Sequence, residues 1–176
     1  MKRFLKTTTI LGILFVSILG TLAHFFYEWS GNNPIVGLFV PINESTWENM
    51  KLLFFPMIIY LLLVNWYLHF HNIPVSTSQI NAGYMTGILY GLLAIPTLFY
   101  TYRGILGFHL TFIDIAIFYI SVILSHVIYG YIAGKQKGFP KENPPLFLII
   151  IYSNVLCVYD LCPTAGDISK LTIPRQ

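Results

Sequence analysis

The chain has 176 residues, of which 56% are hydrophobic and only 10% are charged. A water-soluble domain usually carries about 25% charged residues, so this chain has too few to cover a water-facing surface. The net charge is only +3 and no basic patch lies on a polar face, so the composition argues against a nucleic-acid partner. Apolar runs of about 18 or more residues are typical of membrane spans.

The first predicted span covers about residues 7–27 and follows the basic residues Lys2, Arg3 and Lys6. Such a start also resembles a secretory signal, in which residues 21–23 would form a weak cleavage site. The apolar run continues as far as Tyr27, which is long enough to span. We therefore expect an uncleaved first helix, with cleavage as the alternative.

The segment 28–50 follows as a loop with a short apolar piece at residues 35–42. Eight residues are too few to cross about 30 Å of hydrocarbon as a helix, so this piece should lie at the interface or between helices. Ser45 and Glu48 have the spacing of a capping box. In that motif, the hydroxyl and the carboxylate accept reciprocal hydrogen bonds from the backbone at a helix start.

Four further apolar segments complete a single membrane domain over residues 1–176. The predicted spans after the first are 51–70, with a kink at Pro56, then 83–102, 108–133 and a shorter 145–159. Residues 160–176 are predicted to form a polar C-terminal tail. The prediction is an all-α, polytopic transmembrane helical bundle with about five spans, or four if the last does not insert.

Basic residues predict the orientation. Lys and Arg concentrate before the first span and between the fourth and fifth spans, at Lys2, Arg3, Lys6, Lys135, Lys137 and Lys141. Because cytoplasmic loops carry an excess of Lys and Arg, we expect a multi-pass protein of the cell membrane with a cytoplasmic N-terminus. The loop 28–50 would then be extracytoplasmic.

Small residues recur at helical spacing on two spans, at Gly83, Gly87, Gly91, Gly130 and Gly134. Such stripes let the backbones of membrane helices approach closely. Packing within the chain is one interpretation, and a homo- or hetero-oligomer through the same stripes is the other. The lipid bilayer is the remaining expected partner.

Polar side chains gather near the predicted outer end of the bundle. His24 and Glu28 share one face of the first helix, and Asp114 lies about six residues inside the fourth span, on the order of 9 Å deep. Ionisable groups at such depth are costly and usually functional. The candidate cluster for a cation, a proton or a small polar ligand is His24, Glu28, Asn43, Glu44, Glu48 and Asp114. Whether a metal binds there is left open, and no cofactor is evident.

The other histidines are predicted to be interfacial: His69, His71, His109 and His126. The chain has no H-E-x-x-H motif and no nucleophile elbow, so the sequence supports no named enzyme, and a membrane-embedded hydrolase is the lowest-ranked of three functions. Two functions rank above it as hypotheses. The polar cluster could bind or translocate a ligand, or the protein could be a non-catalytic accessory or scaffold subunit that docks a partner through loop 28–50.

The loop sequence WSGNN, followed by P-x-N-E-S-x-W-E, resembles a family of uncharacterised small bacterial integral membrane proteins. The matching residues are His24, Tyr27, Glu28, Trp29, Gly31, Asn33, Pro41, Asn43, Glu44, Ser45, Trp47 and Glu48. Asn49 departs from the pattern, in which a histidine stands at that position. The resemblance implies a membrane topology but no activity.

Overall fold

A computed structural model describes residues 2–108 and 110–135. Within these ranges all the regular secondary structure is helical: α1 (Lys2–Trp29), α2 (Pro34–Gly37), α3 (Thr46–Asn49), α4 (Lys51–Phe70), α5 (Thr77–Leu106) and α6 (Thr111–Gly134). Four helical segments are long and apolar enough to span a membrane, where α3 and α4 count as one segment. The all-α helical bundle is thus confirmed. The predicted fifth span 145–159, the tail 160–176 and His109 lie outside the described residues.

The four long helices form an antiparallel ring. α1 packs beside α4 and α6, and α5 packs beside the same two helices. In the contact of α1 with α6, Gly12 lies against His126 whereas Gly20 lies against Phe118, so the two helices run in opposite directions. We call the end that carries residues 30–50 the loop end. The chain therefore follows the up-down-up-down order of a four-helix bundle.

Apolar side chains cover the outside of the bundle as well as its core. Ile18, Leu62, Leu93 and Val127, one on each long helix, are all more than half exposed. A helix that is hydrophobic on all sides is stable only inside a protein or in lipid. This outer surface agrees with the membrane-like composition of the four helices.

Glycines bring the helix backbones together. A Cβ atom added to Gly87 would lie 2.4 Å from the carbonyl oxygen of Ser125, and one on Gly20 would lie 2.6 Å from that of Leu52. Gly83 and Gly91 also face α6, so the glycine stripe of α5 is covered within the chain. Gly130 and Gly134 lie near Thr9 and Leu5 of α1, respectively, and Gly134 is exposed.

The interfacial position predicted for His126 is wrong, because this side chain is fully buried. Its Nε2 atom faces Gly12 of α1, which leaves room for the imidazole ring. Its Nδ1 atom donates a hydrogen bond to the carbonyl oxygen of Val122 over 2.9 Å. The rings of Tyr84 and Tyr129 stack beside it with centroids 3.9 Å apart. An imidazole is thus accommodated in an apolar core by one backbone acceptor and by aromatic neighbours.

Candidate functional site

Two short helices shape the loop between α1 and α4. The Asn33 side chain accepts a hydrogen bond from the Ile35 N–H and caps α2. The Ser45 hydroxyl accepts one from the Glu48 N–H over 3.2 Å and caps α3. Side-chain oxygens at these positions satisfy backbone donors that have no partner inside the helix. The loop therefore has a defined shape at the end of the bundle.

Only half of the predicted capping box forms. The Ser45 N–H donates to Asn43 Oδ1 instead of to the Glu48 carboxylate. Glu48 Oε2 accepts from the Ile42 N–H over 3.0 Å and pairs with Lys51 Nζ at 2.8 Å. The reason is that Lys51 is itself buried, where an ammonium group requires a carboxylate nearby.

The Glu48–Lys51 pair fastens the loop to α4. Lys51 Nζ also donates to the carbonyl oxygen of Gly37 over 2.9 Å, so one ammonium group joins α2, α3 and the start of α4. Both side chains of the pair are at most 5% exposed. Glu48, a member of the predicted cluster, thus stabilises the folded loop.

Asp114 lies nearer the start of its helix than the sequence predicted. The fourth span was expected to begin near residue 108, but α6 begins at Thr111, so Asp114 is in its first turn. An acidic side chain is favourable there because the helix dipole places positive charge at the N-terminus. The Tyr102 hydroxyl of α5 donates a hydrogen bond to this carboxylate. Asp114 therefore joins α5 to α6 at the loop end.

A cavity of about 460 Å³ lies at the loop end among these helices. This volume is in the range of small-molecule sites, which usually combine apolar walls with a few polar groups. Its apolar lining includes Leu52, Ile95, Phe99, Ile117 and Phe118. Its polar lining includes His24, Glu44, Asn49, Arg103 and Asp114. We call it the loop-end cavity.

Three of the six predicted cluster residues line the cavity, namely His24, Glu44 and Asp114. The other three are not among its lining residues. Glu28 is exposed on α1, although it lies one turn from His24. The Asn43 side chain accepts a hydrogen bond from the Ser45 N–H, and Glu48 is buried beside Lys51.

Sequence reasoning missed Arg103 and Asn49 as lining residues. Arg103 lies in the last turn of α5, with its guanidinium carbon 5.3 Å from the centre of the Phe99 ring. The Asn49 Oδ1 atom is buried and has no hydrogen-bond partner among the described residues. A signal for Arg103 was present, because a basic residue within an otherwise apolar helix end requires a polar environment.

The donor set does not resemble a metal centre. Within residues 2–108 and 110–135, no group of three His, Cys, Asp or Glu side chains could hold a metal ion. The cavity offers instead one imidazole, two carboxylates, one amide and one guanidinium group among apolar side chains. This mixture suits an organic molecule that has both apolar and polar parts.

No curated protein and no solved structure matches the chain. A family model does match, and it covers residues 2–165, well over half of the chain. This agrees with the resemblance to an uncharacterised family. The chain belongs to the family of unknown function DUF6512.

Proposed function

We propose that this protein is a multi-pass membrane protein that binds a small amphipathic molecule in the loop-end cavity. The observation that carries the proposal is the cavity itself, which combines apolar walls with charged groups of both signs at the end of a bundle of apolar helices. An apolar body would be buried among Leu52, Ile117 and Phe118. Its polar group would lie among the charged side chains.

The polar lining indicates what that group carries. Arg103 offers guanidinium N–H donors, which suit a phosphate or carboxylate group. Glu44 is exposed and accepts hydrogen bonds, and the buried Asn49 Oδ1 is a further acceptor. A buried acceptor costs free energy until it receives a hydrogen bond. A ligand with an anionic group and a separate donor, such as a zwitterion, fits these residues best.

The orientation is part of the proposal. The distribution of Lys and Arg predicts a cytoplasmic N-terminus. Loop 28–50 and the cavity would then face the extracytoplasmic side. Maleimide labelling of intact cells tests this with single cysteines at Ile35 and at Ser78, which are exposed at opposite ends of the bundle. Cys157 and Cys162 would be changed to serine first. Labelling of the Ser78→Cys protein from outside would contradict the orientation.

Binding is tested with the protein in lipid nanodiscs and a single-chain phosphoethanolamine, whose ammonium group supplies the donor and which carries a photoactivatable diazirine near the end of its chain. We expect saturable labelling of peptides from the loop-end halves of α1 and α6. Unlabelled phosphoethanolamine of the same chain length should compete for it. Labelling that does not saturate would show lipid contact alone and would contradict the proposal.

Variants separate the cavity from the surrounding surface. Arg103→Gln and Glu44→Gln should each lower the saturable labelling several-fold, because each removes one charge from the polar lining. Glu28→Gln is the matched control, since Glu28 is an exposed carboxylate on α1 that does not line the cavity. Equal effects of Glu44→Gln and Glu28→Gln would contradict a specific site.

A second candidate is a scaffold or accessory function for loop 28–50. It is favoured by large apolar side chains that the loop exposes, namely Trp29, Ile35, Leu38, Phe39 and Trp47. Exposed apolar patches on a well-defined loop are typical of surfaces that contact a partner or a membrane. Crosslinking in native membranes from a cysteine at Ile35 tests this candidate. Recovery of the uncrosslinked chain alone would count against it.

A further inference from the structure

The wall of the loop-end cavity between α1 and α6 is thin. Six side chains from these two helices line the cavity and are also exposed: Thr21, His24, Phe25, Thr111, Ile115 and Tyr119. Beside them, the apolar side chains of Leu22 and Ile120 are 41% and 52% exposed. On this side, the side chains that line the cavity are therefore also part of the outer surface.

One hydrogen bond joins the two helices across this wall. The Thr21 hydroxyl lies 2.7 Å from the carbonyl oxygen of Ser17 and 3.0 Å from the Tyr119 hydroxyl. A hydroxyl has only one proton. Thr21 donates that proton to Ser17, so Tyr119 donates to Thr21. At the same level of the bundle, Gly20 and Phe118 pack tightly against each other.

The depth of this hydrogen bond places it among lipid chains. Thr21 precedes the end of α1 at Trp29, and Tyr119 follows the start of α6 at Thr111, in each case by about 12 Å at 1.5 Å per residue. The hydrocarbon core of a bilayer is about 30 Å thick. An opening between α1 and α6 at this depth would face acyl chains and not water.

We propose that the ligand is a single-chain amphiphile dissolved in the membrane, which enters the cavity sideways between α1 and α6. The Thr21–Tyr119 hydrogen bond holds this side closed. The inference rests on the proposed binding function and adds the ligand class and its route. Lipid offers no replacement partner to a separated hydroxyl, so the hydrogen bond favours the closed wall.

The test measures rates with a single-chain phosphoethanolamine that carries a dansyl group near the end of its chain, delivered from vesicles to nanodiscs that contain the protein. Tyr119→Phe keeps the ring and removes the donor, so entry and exit should both accelerate about fivefold, as expected for one neutral hydrogen bond. Thr21→Val should do the same. The double variant should match either single variant, because both remove the same hydrogen bond.

Tyr131→Phe is the control, since Tyr131 is an exposed tyrosine of α6 that does not line the cavity. Saturable binding with unchanged rates in Tyr119→Phe and Thr21→Val would overturn sideways entry and leave cavity binding intact. Entry rates that follow the aqueous concentration of the probe, instead of its mole fraction in the membrane, would also overturn it. Loss of saturable binding in the unaltered protein would overturn the proposed function itself.

Discussion

The two ends of the bundle are held together in different ways. At the loop end, polar contacts join the elements: the buried Glu48–Lys51 pair and the Tyr102–Asp114 hydrogen bond. In the opposite half, glycines and aromatic rings allow close contact, as around the buried His126. The hydrogen bonds between helices there join uncharged groups: Thr8 with Tyr129, Tyr60 with Thr8, and Asn65 with Asn81. The cavity lies at the end where charged side chains take part in the contacts.

This difference has a physical reason. Close packing of glycine against a neighbouring backbone leaves no space between helices, and it gains stability from dispersion and from weak hydrogen bonds. Polar side chains that meet across a gap can hold helices in position while they leave space beside them. A ligand site is therefore compatible with the loop end, and a rigid core with the opposite half.

The largest expected effect comes from breaking the buried ion pair. Lys51→Met leaves the Glu48 carboxylate buried without its ammonium partner, so the free energy of unfolding should fall by about 3 to 5 kcal/mol. Thermal unfolding in detergent would measure this. Adding Glu48→Gln to Lys51→Met should recover part of the loss, and Lys6→Met, at an exposed lysine, should change little. If Lys51→Met left the stability unchanged, the ion pair would not be what holds the loop to α4.

The next effect is on the close contact of α5 with α6. In Gly87→Leu, the new Cβ atom would lie 2.4 Å from the carbonyl oxygen of Ser125. The two helices must therefore separate, which should lower the free energy of unfolding by about 3 kcal/mol. Gly104→Ala is the control, because a Cβ atom there meets nothing within 4 Å. The folded fraction in detergent after mild heating distinguishes them. If Gly87→Leu and Gly104→Ala were equally stable, close packing at Gly87 would not be what holds α5 against α6.

Two histidines test the comparison directly. His126→Ala removes a fully buried ring, and the space that it leaves should lower the free energy of unfolding by about 2 to 3 kcal/mol. His24→Ala removes an exposed ring and should cost less than about 0.5 kcal/mol. Ligand labelling should respond in the opposite order, because only His24 lines the cavity. If His126→Ala had the larger effect on both stability and ligand labelling, the two halves would not differ in function.

The smallest loss of stability expected from breaking a single contact concerns α5 and α6 at the loop end. Tyr102→Phe removes the hydrogen bond to Asp114, and a hydrogen bond to a charged group on a partly exposed site is worth about 1 to 2 kcal/mol. Unfolding in detergent again provides the measurement. Tyr100→Phe, at an exposed tyrosine of the same helix, should have no effect. A Tyr102→Phe protein as stable as the Tyr100→Phe protein would show that Asp114 is held by other contacts.

The sequence predicted part of the site and could not predict the rest. His24 and Asp114 were found because ionisable groups in apolar helices are conspicuous. Glu28 was grouped with His24 because the two are neighbours along α1, but the cavity is reached by His24 and not by Glu28. Arg103 and Asn49 come from other segments, and a linear pattern does not show which helix ends meet. The burial of His126 likewise depends on Gly12 of another helix.

Composition and apolar run lengths alone determined that this chain forms long apolar helices joined by polar loops, because each span must satisfy its own backbone hydrogen bonds in lipid. The Ser45 cap was also local and therefore predictable. Only the tertiary structure decided that Glu48 is buried with Lys51, that Glu44 and Arg103 line one cavity, and that α1 and α6 close its side. Glu48 and Lys51 are only three residues apart, but their contacts also include the backbone of Ile42 and Gly37. The other contacts join residues far apart in sequence, and they depend on which helix faces meet. Helix periodicity alone does not specify that choice.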